Sequence, residues 1–309
     1  MYPRNFDLGI YRNENLDLAQ LKDTELLVHY ENLGKFEGRK CCKIKSRTEF
    51  IQLIDQSLDI LEIGPLCFPS MDVSRPNIKT IDYFSKEELI ENYKKDPNVD
   101  LSKICKVDYV VKSGRYLDVI KDKFDFVFSS HNIEHVPCII TFLNNLADVL
   151  KPNSFVFLCI PDYRYCFDRY RNESNIFEIL NAFYNKATIP NIIKVCESNF
   201  LTTHNDSVQL WNDQHSSANN IYKEYKKRDE FYQNKSQEII NRFDDIVNLI
   251  KEVQNGKYID SHCWQFTSQS FENIINILNI KNYIRLKVHR IYHTLNNSCE
   301  FYAILKNSL

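Results

Sequence analysis

The sequence lacks the long apolar runs and the blocks of like charge that mark membrane proteins and nucleic-acid-binding proteins. No apolar run approaches the roughly 20 residues that a membrane-spanning helix needs. The 39 basic and 41 acidic residues leave a net charge of −2, and neither sign is concentrated in one block. The first residues also lack the positive-then-apolar order of a signal peptide. We therefore predict a cytoplasmic protein with no membrane span and no nucleic-acid partner.

Paired cysteine motifs are missing as well. The ten cysteines are scattered, and several, such as Cys159, lie within apolar runs typical of strands. No cysteine motif has a matching second motif, so a disulfide framework is not expected. We interpret the cysteines as reduced thiols that pack as small hydrophobic side chains.

The period of the hydrophobic pattern divides the chain into three parts. In residues 1–57 a stripe of leucines at helical spacing predicts a helical N-terminal appendage. In residues 58–165 and 256–309 short apolar runs alternate with amphipathic stretches, which predicts βαβ units and a mostly parallel sheet. Residues 166–255 return to helical spacing and are predicted to form a helical insertion. The predicted fold is therefore α/β, with a Rossmann-like sheet.

Apolar runs bounded by turn residues predict the strands of this sheet. They are Leu58–Gly64, Ile78–Tyr83, Ile104–Val110, Phe124–Ser129, Ser154–Ile160, Tyr283–Tyr292 and Glu300–Lys306. Helical spacing predicts helices at Ile139–Leu150 and Thr267–Leu278. The short turn that begins at Asn296 makes the last two strands an antiparallel pair at the C-terminus.

Polar residues stand where the first two strands are predicted to end. Ligands of open parallel sheets bind beyond the carboxyl ends of the strands, near the point where the strand order reverses. Gly64 would let the backbone approach a ligand closely, and Glu62 would hold the turn or a cationic group. Asp82 lies about 20 residues after the first turn, the separation at which a carboxylate accepts from a ribose hydroxyl.

The third and fourth predicted strands end in polar residues too. Asp108 ends the third strand, and the fourth ends in Ser129, Ser130 and His131. A single aspartate in such a place is more often a helix cap or a turn residue. Because polar residues follow successive strands in order, the pattern favours a site for a nucleoside-containing cofactor.

These motifs resemble those of class I S-adenosylmethionine-dependent methyltransferases. The resemblance covers residues 58–165 and 256–309, and it is greatest to a bacterial branch encoded with capsule and surface-polysaccharide enzymes. The motifs that carry it are Glu62-Ile-Gly-Pro65, Ser130-His-Asn-Ile-Glu-His-Val-Pro137, Leu150-Lys-Pro-Asn153, Ile160–Asp168 and His262–Thr267. The N-terminal His29–Arg39 segment also resembles a short module common in proteins of such loci.

The resemblance implies S-adenosylmethionine as the cofactor and a role for each of these positions. Glu62, Gly64 and Pro65 would line the methionine side of the cofactor. Asp82 would bind the ribose hydroxyls, and Asp108 would lie by the adenine. Ser130 and His131 would lie near the sulfonium.

The cofactor loop departs from the pattern of this family. Of the usual glycine-rich ExGxGxG sequence the chain keeps Glu62 and Gly64, with Leu66 and Phe68 at the later glycine places. A reshaped loop would bind the cofactor poorly or not at all. This departure motivates an alternative hypothesis, a catalytically inactive nucleoside-binding module of the same fold.

The same segment also matches H-x-x-E-H, the inverted zinc-protease signature. In that reading His131 and His135 bind zinc and Glu134 acts on the metal-bound water. Pro137 disfavours helix at the preceding residue, so a helix is not expected to continue through the motif. We therefore predict no metal site and interpret Glu134 and His135 as groups hydrogen-bonded to backbone at the base of the cleft. A zinc hydrolase stays a less favoured alternative.

Two histidines are candidates for a general base in methyl transfer to oxygen. A histidine suits this role because its unperturbed pKa is near 6.5. His131 is the first candidate by position. His262, beside Trp264, is the second, and a buried histidine that packs on the indole is an equally weighted interpretation.

Residues of the predicted insertion and its flanks are candidates for acceptor binding. His204 and Trp211 are expected to close over the acceptor, with Trp264 beside them. Arg164 would pair with an anionic acceptor, although a surface ion pair is the commoner role of an arginine. The resemblance implies a small or carrier-linked acceptor in surface-polysaccharide biosynthesis, with a sugar hydroxyl or a phosphoramidate as the methylated group.

Overall fold

The computed structural model describes residues 6–34, 37, 39, 41, 44, 46–214 and 237–307, and for residues 237–243 it describes the backbone alone. Within this part the strands are β1 Ile60–Ile63, β2 Ile78–Asp82, β3 Tyr109–Val110, β4 Phe124–Ser130, β5 Leu150–Pro161, β6 Leu286–Tyr292 and β7 Glu300–Asn307. They form one sheet in the order β3-β2-β1-β4-β5-β7-β6. Pairing is parallel from β3 to β5, whereas β7 runs antiparallel to β5 and β6. The predicted mostly parallel sheet with a C-terminal antiparallel pair is confirmed.

Helices cover both faces of this sheet. Those of the described chain are α1 Leu8–Glu14, α2 Asp23–His29, α3 Arg47–Ile51, α4 Lys86–Tyr93, α5 Ile139–Val149, α6 Ile176–Tyr184, α7 Ile192–Phe200, α8 Ser207–Trp211, α9 Gln237–Gln254 and α10 Ser268–Ile280. The apolar faces of α5 and α10 pack into the main core with one face of the sheet. Because both faces are covered, β1 is buried at all four positions, which explains its continuous apolar run.

The N-terminal segment contributes to two separate cores. Tyr11, Leu26 and Tyr30 are fully buried in a small cluster of their own. Phe50, from α3, instead packs on the second face of the sheet and stacks on Tyr302 with ring centroids 4.7 Å apart. The end of the predicted appendage is thus part of the sheet's packing.

The third strand is shorter than the sequence predicts. Strand β3 consists of Tyr109 and Val110 alone, because the preceding Ile104 is buried against Cys67 instead of pairing in the sheet. Asp108 therefore precedes the strand, and the prediction that it ends the strand is wrong. Its backbone N–H donates to the carbonyl of Thr80 at 3.1 Å and its Oδ2 accepts from the Thr80 N–H at 3.0 Å.

The predicted insertion is helical where the structure describes it. Helices α6, α7, α8 and α9 lie within residues 166–255, and residues 215–236 lie outside the described residues. Among the helices that are described, none combines the length and the apolar character that crossing a bilayer requires.

Candidate active site

The turn after β1 requires glycine at position 64. Gly64 has φ +57°, a left-handed conformation that side chains disfavour. A Cβ built there would lie 3.1 Å from Asn132 Nδ2 and 3.9 Å from Asp82 Oδ2. The backbone thus forms a cradle between the ends of β2 and β4, as close approach of a ligand requires.

Glu62 holds this turn. Its side chain is buried, and its two carboxylate oxygens accept from the backbone N–H groups of Ser70 at 2.7 Å and Met71 at 3.3 Å. Burial raises the pKa of Glu62 to about 7, although these hydrogen bonds and the charge of Arg47 act in the opposite direction. Glu62 was predicted to hold either the turn or a cationic group. The structure shows that it holds the turn.

The raised pKa of Glu62 predicts how stability depends on pH. The folded protein binds the proton more tightly than the unfolded chain, whose glutamate pKa is near 4.5, so stability falls as pH rises from about 4.5 to 7. Glu62→Gln lacks this titration. Between pH 5 and pH 8 the free energy of unfolding of the cofactor-free wild type should fall by about 2 to 3 kcal/mol relative to the variant. Urea denaturation at both pH values measures the difference, and parallel pH profiles would contradict the prediction.

Asp82 presents one carboxylate oxygen to the Gly64 cradle. It is the last residue of β2, and its Oδ1 accepts from the Phe84 N–H at 2.9 Å. Oδ2 lies on the side of Gly64. Burial raises the pKa of Asp82 against the opposing effect of backbone N–H groups and Lys112. The orientation fits a carboxylate that accepts from a hydroxyl of a ligand in the cradle.

The loop that lacks the later glycines still makes tight turns. Leu66 has φ +47°, so a leucine holds the left-handed conformation that glycine adopts without strain. Its carbonyl accepts from Cys105 N–H at 3.1 Å, and the Phe68 N–H donates to the Pro65 carbonyl at 2.9 Å. Phe68 itself is 69% exposed.

His131 follows β4 and pairs with a residue distant in the sequence. It has φ +48°, an uncommon conformation for a non-glycine residue that occurs at functional sites. Its Nε2 lies 2.7 Å from Glu300 Oε2, and Glu300 Oε1 accepts from the Tyr302 hydroxyl at 3.1 Å. Arg47 donates to the Ser130 hydroxyl and lies 3.5 Å from Glu300 Oε2. Neither Arg47 nor Glu300 was predicted from the sequence.

The pair shifts the pKa values of both partners. Burial would lower the pKa of His131, but the hydrogen bond to Glu300 and the charge of Glu134 outweigh it and raise the pKa. Burial would raise the pKa of Glu300, and His131 with Arg47 lowers it instead. An imidazole and a carboxylate thus form a hydrogen-bonded pair at the edge of a cavity of about 600 Å³ that both residues line.

The rest of the H-x-x-E-H segment forms a turn, as Pro137 predicted, and not a helix. Glu134 is 1% exposed and neither of its carboxylate oxygens accepts a hydrogen bond from any residue that the structure describes. His135 Nδ1 lies 2.9 Å from Asp260 Oδ1. The interpretation of these two side chains as groups hydrogen-bonded to backbone is therefore wrong. Burial would lower the pKa of His135, but Asp260 and Glu134 raise it to about 9.

His262 lies against this turn. It is 7% exposed, its Nδ1 lies 2.6 Å from Asp168 Oδ2, and its Nε2 lies 4.0 Å from Glu134 Oε1. Its ring packs against Phe167 and His135, with centroids 4.5 Å apart in each case. The alternative that His262 packs on the neighbouring indole is not what the structure shows.

A buried ion pair fixes the Asp168 carboxylate beside His262. Arg171 is 2% exposed and donates to Asp168 Oδ1 at 2.9 Å and to the His262 carbonyl at 2.7 Å. Asp168→Ala leaves this buried guanidinium without its nearest carboxylate, since Glu197 Oε2 lies 3.9 Å away. We therefore expect a loss of about 3 to 5 kcal/mol in the free energy of unfolding, measured by urea denaturation. As a control, Asp213→Ala removes the exposed partner of Arg169 and should change stability little. Equal effects of the two variants would contradict the prediction.

Residues 74–158 match the family model described as a methyltransferase domain, and this segment contains Asp82, Ser130 and His131. No curated protein matches the chain.

Solved methyltransferases are similar to the chain. The CcbJ methyltransferase from Streptomyces caelestis aligns with 15% identity over 38% of this chain and 52% of its own, with a TM-score of 0.27. An S-adenosylmethionine-dependent methyltransferase from Mesorhizobium loti aligns with 13% identity over 38% and 54%, with a TM-score of 0.27. Another from Methanosarcina mazei aligns with 12% identity over 86% and 100%, with a TM-score of 0.38. The chain thus spans about half the length of the first two structures.

The strand order and the match over residues 74–158 together decide the fold. It is the class I S-adenosylmethionine-dependent methyltransferase fold. S-adenosylmethionine is the cofactor that the match supports. The residues fit this cofactor, because the Gly64 cradle admits close backbone approach and Asp82 turns a carboxylate oxygen towards it. Asp108, tied to Thr80, lies away from this edge, so its role by the adenine stays a prediction.

In this methyltransferase fold, two of the predicted acceptor residues line a second cavity. It measures about 640 Å³ and contains Arg164 and Trp211 in its wall. Both nitrogens of the Arg164 fork donate to Asp162, at 2.9 and 2.7 Å, so this arginine is already paired. Trp211 stacks on Tyr165 with centroids 3.7 Å apart, and its indole N–H donates to the Ser298 carbonyl at 2.8 Å.

The other two predicted acceptor residues do not line either cavity. His204 lies with Nε2 3.1 Å from the Gln214 carbonyl oxygen, and its Nδ1 accepts from the Asp206 N–H. Trp264 is 4% exposed within the main core, and its indole donates to the Val136 carbonyl at 2.6 Å. The structure therefore gives Trp264 a packing role instead of the predicted contact with an acceptor.

Proposed function

We propose that the protein transfers a methyl group from S-adenosylmethionine to an oxygen of a sugar, a phosphoramidate or another small or carrier-linked acceptor in surface-polysaccharide biosynthesis. The observation that carries the proposal is the His131–Glu300 pair. It joins the end of β4 to the start of β7 at the edge where the Gly64 cradle lies, and both residues line a cavity.

The cradle residues bind and orient the cofactor. When bound, S-adenosylmethionine supplies an electrophilic methyl group on a sulfonium. Gly64 admits the backbone approach, Asp82 accepts from the ribose hydroxyls, and Glu62 keeps the turn between them in place. Alignment of acceptor and methyl group is worth on the order of 7 to 11 kcal/mol in such displacements, so rigid positioning of this kind is the first requirement of the reaction.

His131 serves as general base for a hydroxyl acceptor. Glu300 accepts the hydrogen bond from Nε2 and so orients the ring, which leaves Nδ1 to take the proton of the acceptor. The carboxylate also stabilises the imidazolium that this transfer creates. Ser130, held by Arg47, fixes the backbone from which His131 projects.

The shape of the two cavities supports a carrier-linked acceptor. The wall of the cavity at His131 includes neutral polar residues, among them Asn297 and Ser298, which suit the hydroxyls of a sugar. It shares Asn296 with the second cavity, where Trp211 offers an aromatic surface and Arg169 a cation that is paired with the exposed Asp213. We assign the sugar to the first cavity and the phosphate-bearing or nucleotide part of the acceptor to the second.

A methyl-transfer assay tests this proposal. The purified protein is incubated with S-adenosylmethionine carrying a labelled methyl group and with nucleotide-linked sugars, phosphoramidates or extracts of capsule precursors. Incorporation of label that depends on His131 is the expected result. Binding of S-adenosylhomocysteine without transfer to any acceptor would favour the inactive nucleoside-binding module, which the missing loop glycines motivate. No binding of S-adenosylhomocysteine would overturn both.

A further inference from the structure

Glu134 is a buried carboxylate whose oxygens have no hydrogen bond. It is 1% exposed, and among the described residues neither Oε1 nor Oε2 has a hydrogen-bonding partner. An ionised carboxylate in such a place costs several kcal/mol unless a cation or donors compensate it. Buried polar groups in native proteins are paired in the large majority of cases. The environment of Glu134 therefore calls for a cationic partner.

Two histidines point a ring nitrogen at this carboxylate. The Nε2 atoms of His135 and His262 lie 3.9 and 4.0 Å from Glu134 Oε1, too far for hydrogen bonds. One ligand atom from each of the three residues lies within 4.8 Å of the other two. The opposite ring nitrogens are held by carboxylates, His135 Nδ1 by Asp260 at 2.9 Å and His262 Nδ1 by Asp168 at 2.6 Å. Histidines that bind metals are oriented by carboxylates in this way.

The size and chemistry of the gap between these atoms fit a metal ion. Bonds of about 2.0 to 2.1 Å at tetrahedral angles place ligand atoms about 3.3 Å apart. The ligand atoms are 3.9 Å to at most 4.8 Å apart, so each side chain needs to move inward by roughly 0.3 to 0.8 Å to close on an ion. Two imidazoles and one carboxylate suit zinc or another divalent transition metal, whereas Mg²⁺ and Ca²⁺ prefer oxygen ligands.

We propose that Glu134, His135 and His262 bind a divalent transition metal, with Zn²⁺ as the best fit, beside the candidate base His131. The ligand set differs from that of an inverted zinc-protease motif, since Glu134 is a ligand and His262 comes from a distant part of the chain. His131 Nδ1 lies 3.7 Å from the same Glu134 Oε1, so the cluster adjoins the candidate base. The 29% exposure of the His135 side chain provides an entry path. The proposal stands on this cluster and does not depend on methyl transfer.

Metal titration of the whole chain tests the proposal. The protein is stripped with a chelator, desalted and titrated with Zn²⁺, and bound metal is counted by mass spectrometry after desalting. We expect one equivalent per chain and a higher melting temperature. Co²⁺ should give the visible absorption of a site with nitrogen and oxygen ligands, and Mg²⁺ should not compete. Absence of saturable Zn²⁺ binding would overturn the proposal.

Variants distinguish this site from adventitious binding. Glu134→Gln, His262→Ala and His135→Gln should each lose the bound equivalent, while His289→Ala, which changes an exposed histidine on β6, should keep it. His135→Gln is the variant most certain to fold, because its side chain is partly exposed. Asp260→Asn alters the group that orients His135 and should weaken Zn²⁺ binding by about 10-fold to 100-fold. Retention of one equivalent by folded His135→Gln, or equal loss in His289→Ala, would contradict the assignment.

Discussion

Asp82→Ala is expected to abolish the rise in melting temperature that S-adenosylhomocysteine produces in the wild-type protein. The carboxylate lies at the end of β2 with Oδ2 turned towards the Gly64 cradle. A hydrogen bond to a charged group contributes about 1.5 to 3 kcal/mol, so loss of two such bonds to ribose hydroxyls weakens binding by roughly 100-fold or more. Isothermal titration calorimetry measures the dissociation constant directly.

Two further variants separate this role from a structural one. Asp82→Asn keeps an acceptor for the Phe84 N–H and should bind S-adenosylhomocysteine with intermediate affinity. Asp96→Ala changes an exposed turn residue whose carboxylate bonds only locally to Asn98 in the described contacts, and it should bind like the wild type. If Asp82→Ala folds and binds with undiminished affinity, the cofactor does not lie in this cradle.

The parallel strands were predictable because their residues are buried on both faces. Sheets covered by helices read as continuous apolar runs, and β1, β2 and β4 lie within the runs that mark them, apart from Ser130 at the end of β4. The third strand was not predictable in this way. Ile104 is as apolar and as buried as the strand residues, but it packs against Cys67 in a separate cluster. An apolar run indicates that its residues are buried, but it does not indicate whether they are buried in a sheet.

The partners of the site residues could not be predicted, because they lie far from these residues in the sequence. Glu300 is 169 positions from His131, and only the antiparallel direction of β7 brings its first residue to the edge where the parallel strands end. A signal was present, since Glu300 is the single acidic residue of an otherwise apolar strand start. Glu134 and His135 were assigned a supporting role from Pro137 alone. The proline correctly excluded a helix, but His262, which completes the cluster, approaches from another segment.

His131→Gly is expected to lower kcat by about 10²-fold to 10⁴-fold, the usual contribution of a positioned general base. Glycine suits the backbone here, because His131 has φ +48° and glycine adopts this conformation without strain. The substitution therefore removes the imidazole without straining the backbone. Affinity for S-adenosylhomocysteine should stay close to that of the wild type. Measurement of kcat and KM for both substrates separates the two effects.

Chemical rescue tests whether the imidazole itself acts as the general base. Free imidazole added to His131→Gly should restore part of the lost activity, since the removed ring leaves space beside Glu300. Glu300→Gln keeps the size of the positioning residue and removes its charge, so we expect kcat to fall by about 10-fold to 100-fold, the equivalent of one charge-assisted hydrogen bond. Tyr302→Phe, which removes only the hydroxyl that donates to Glu300 Oε1, is the matched control and should change kcat far less. An unrescued His131→Gly variant with normal cofactor binding would show that His131 aligns the acceptor and that another group takes the proton.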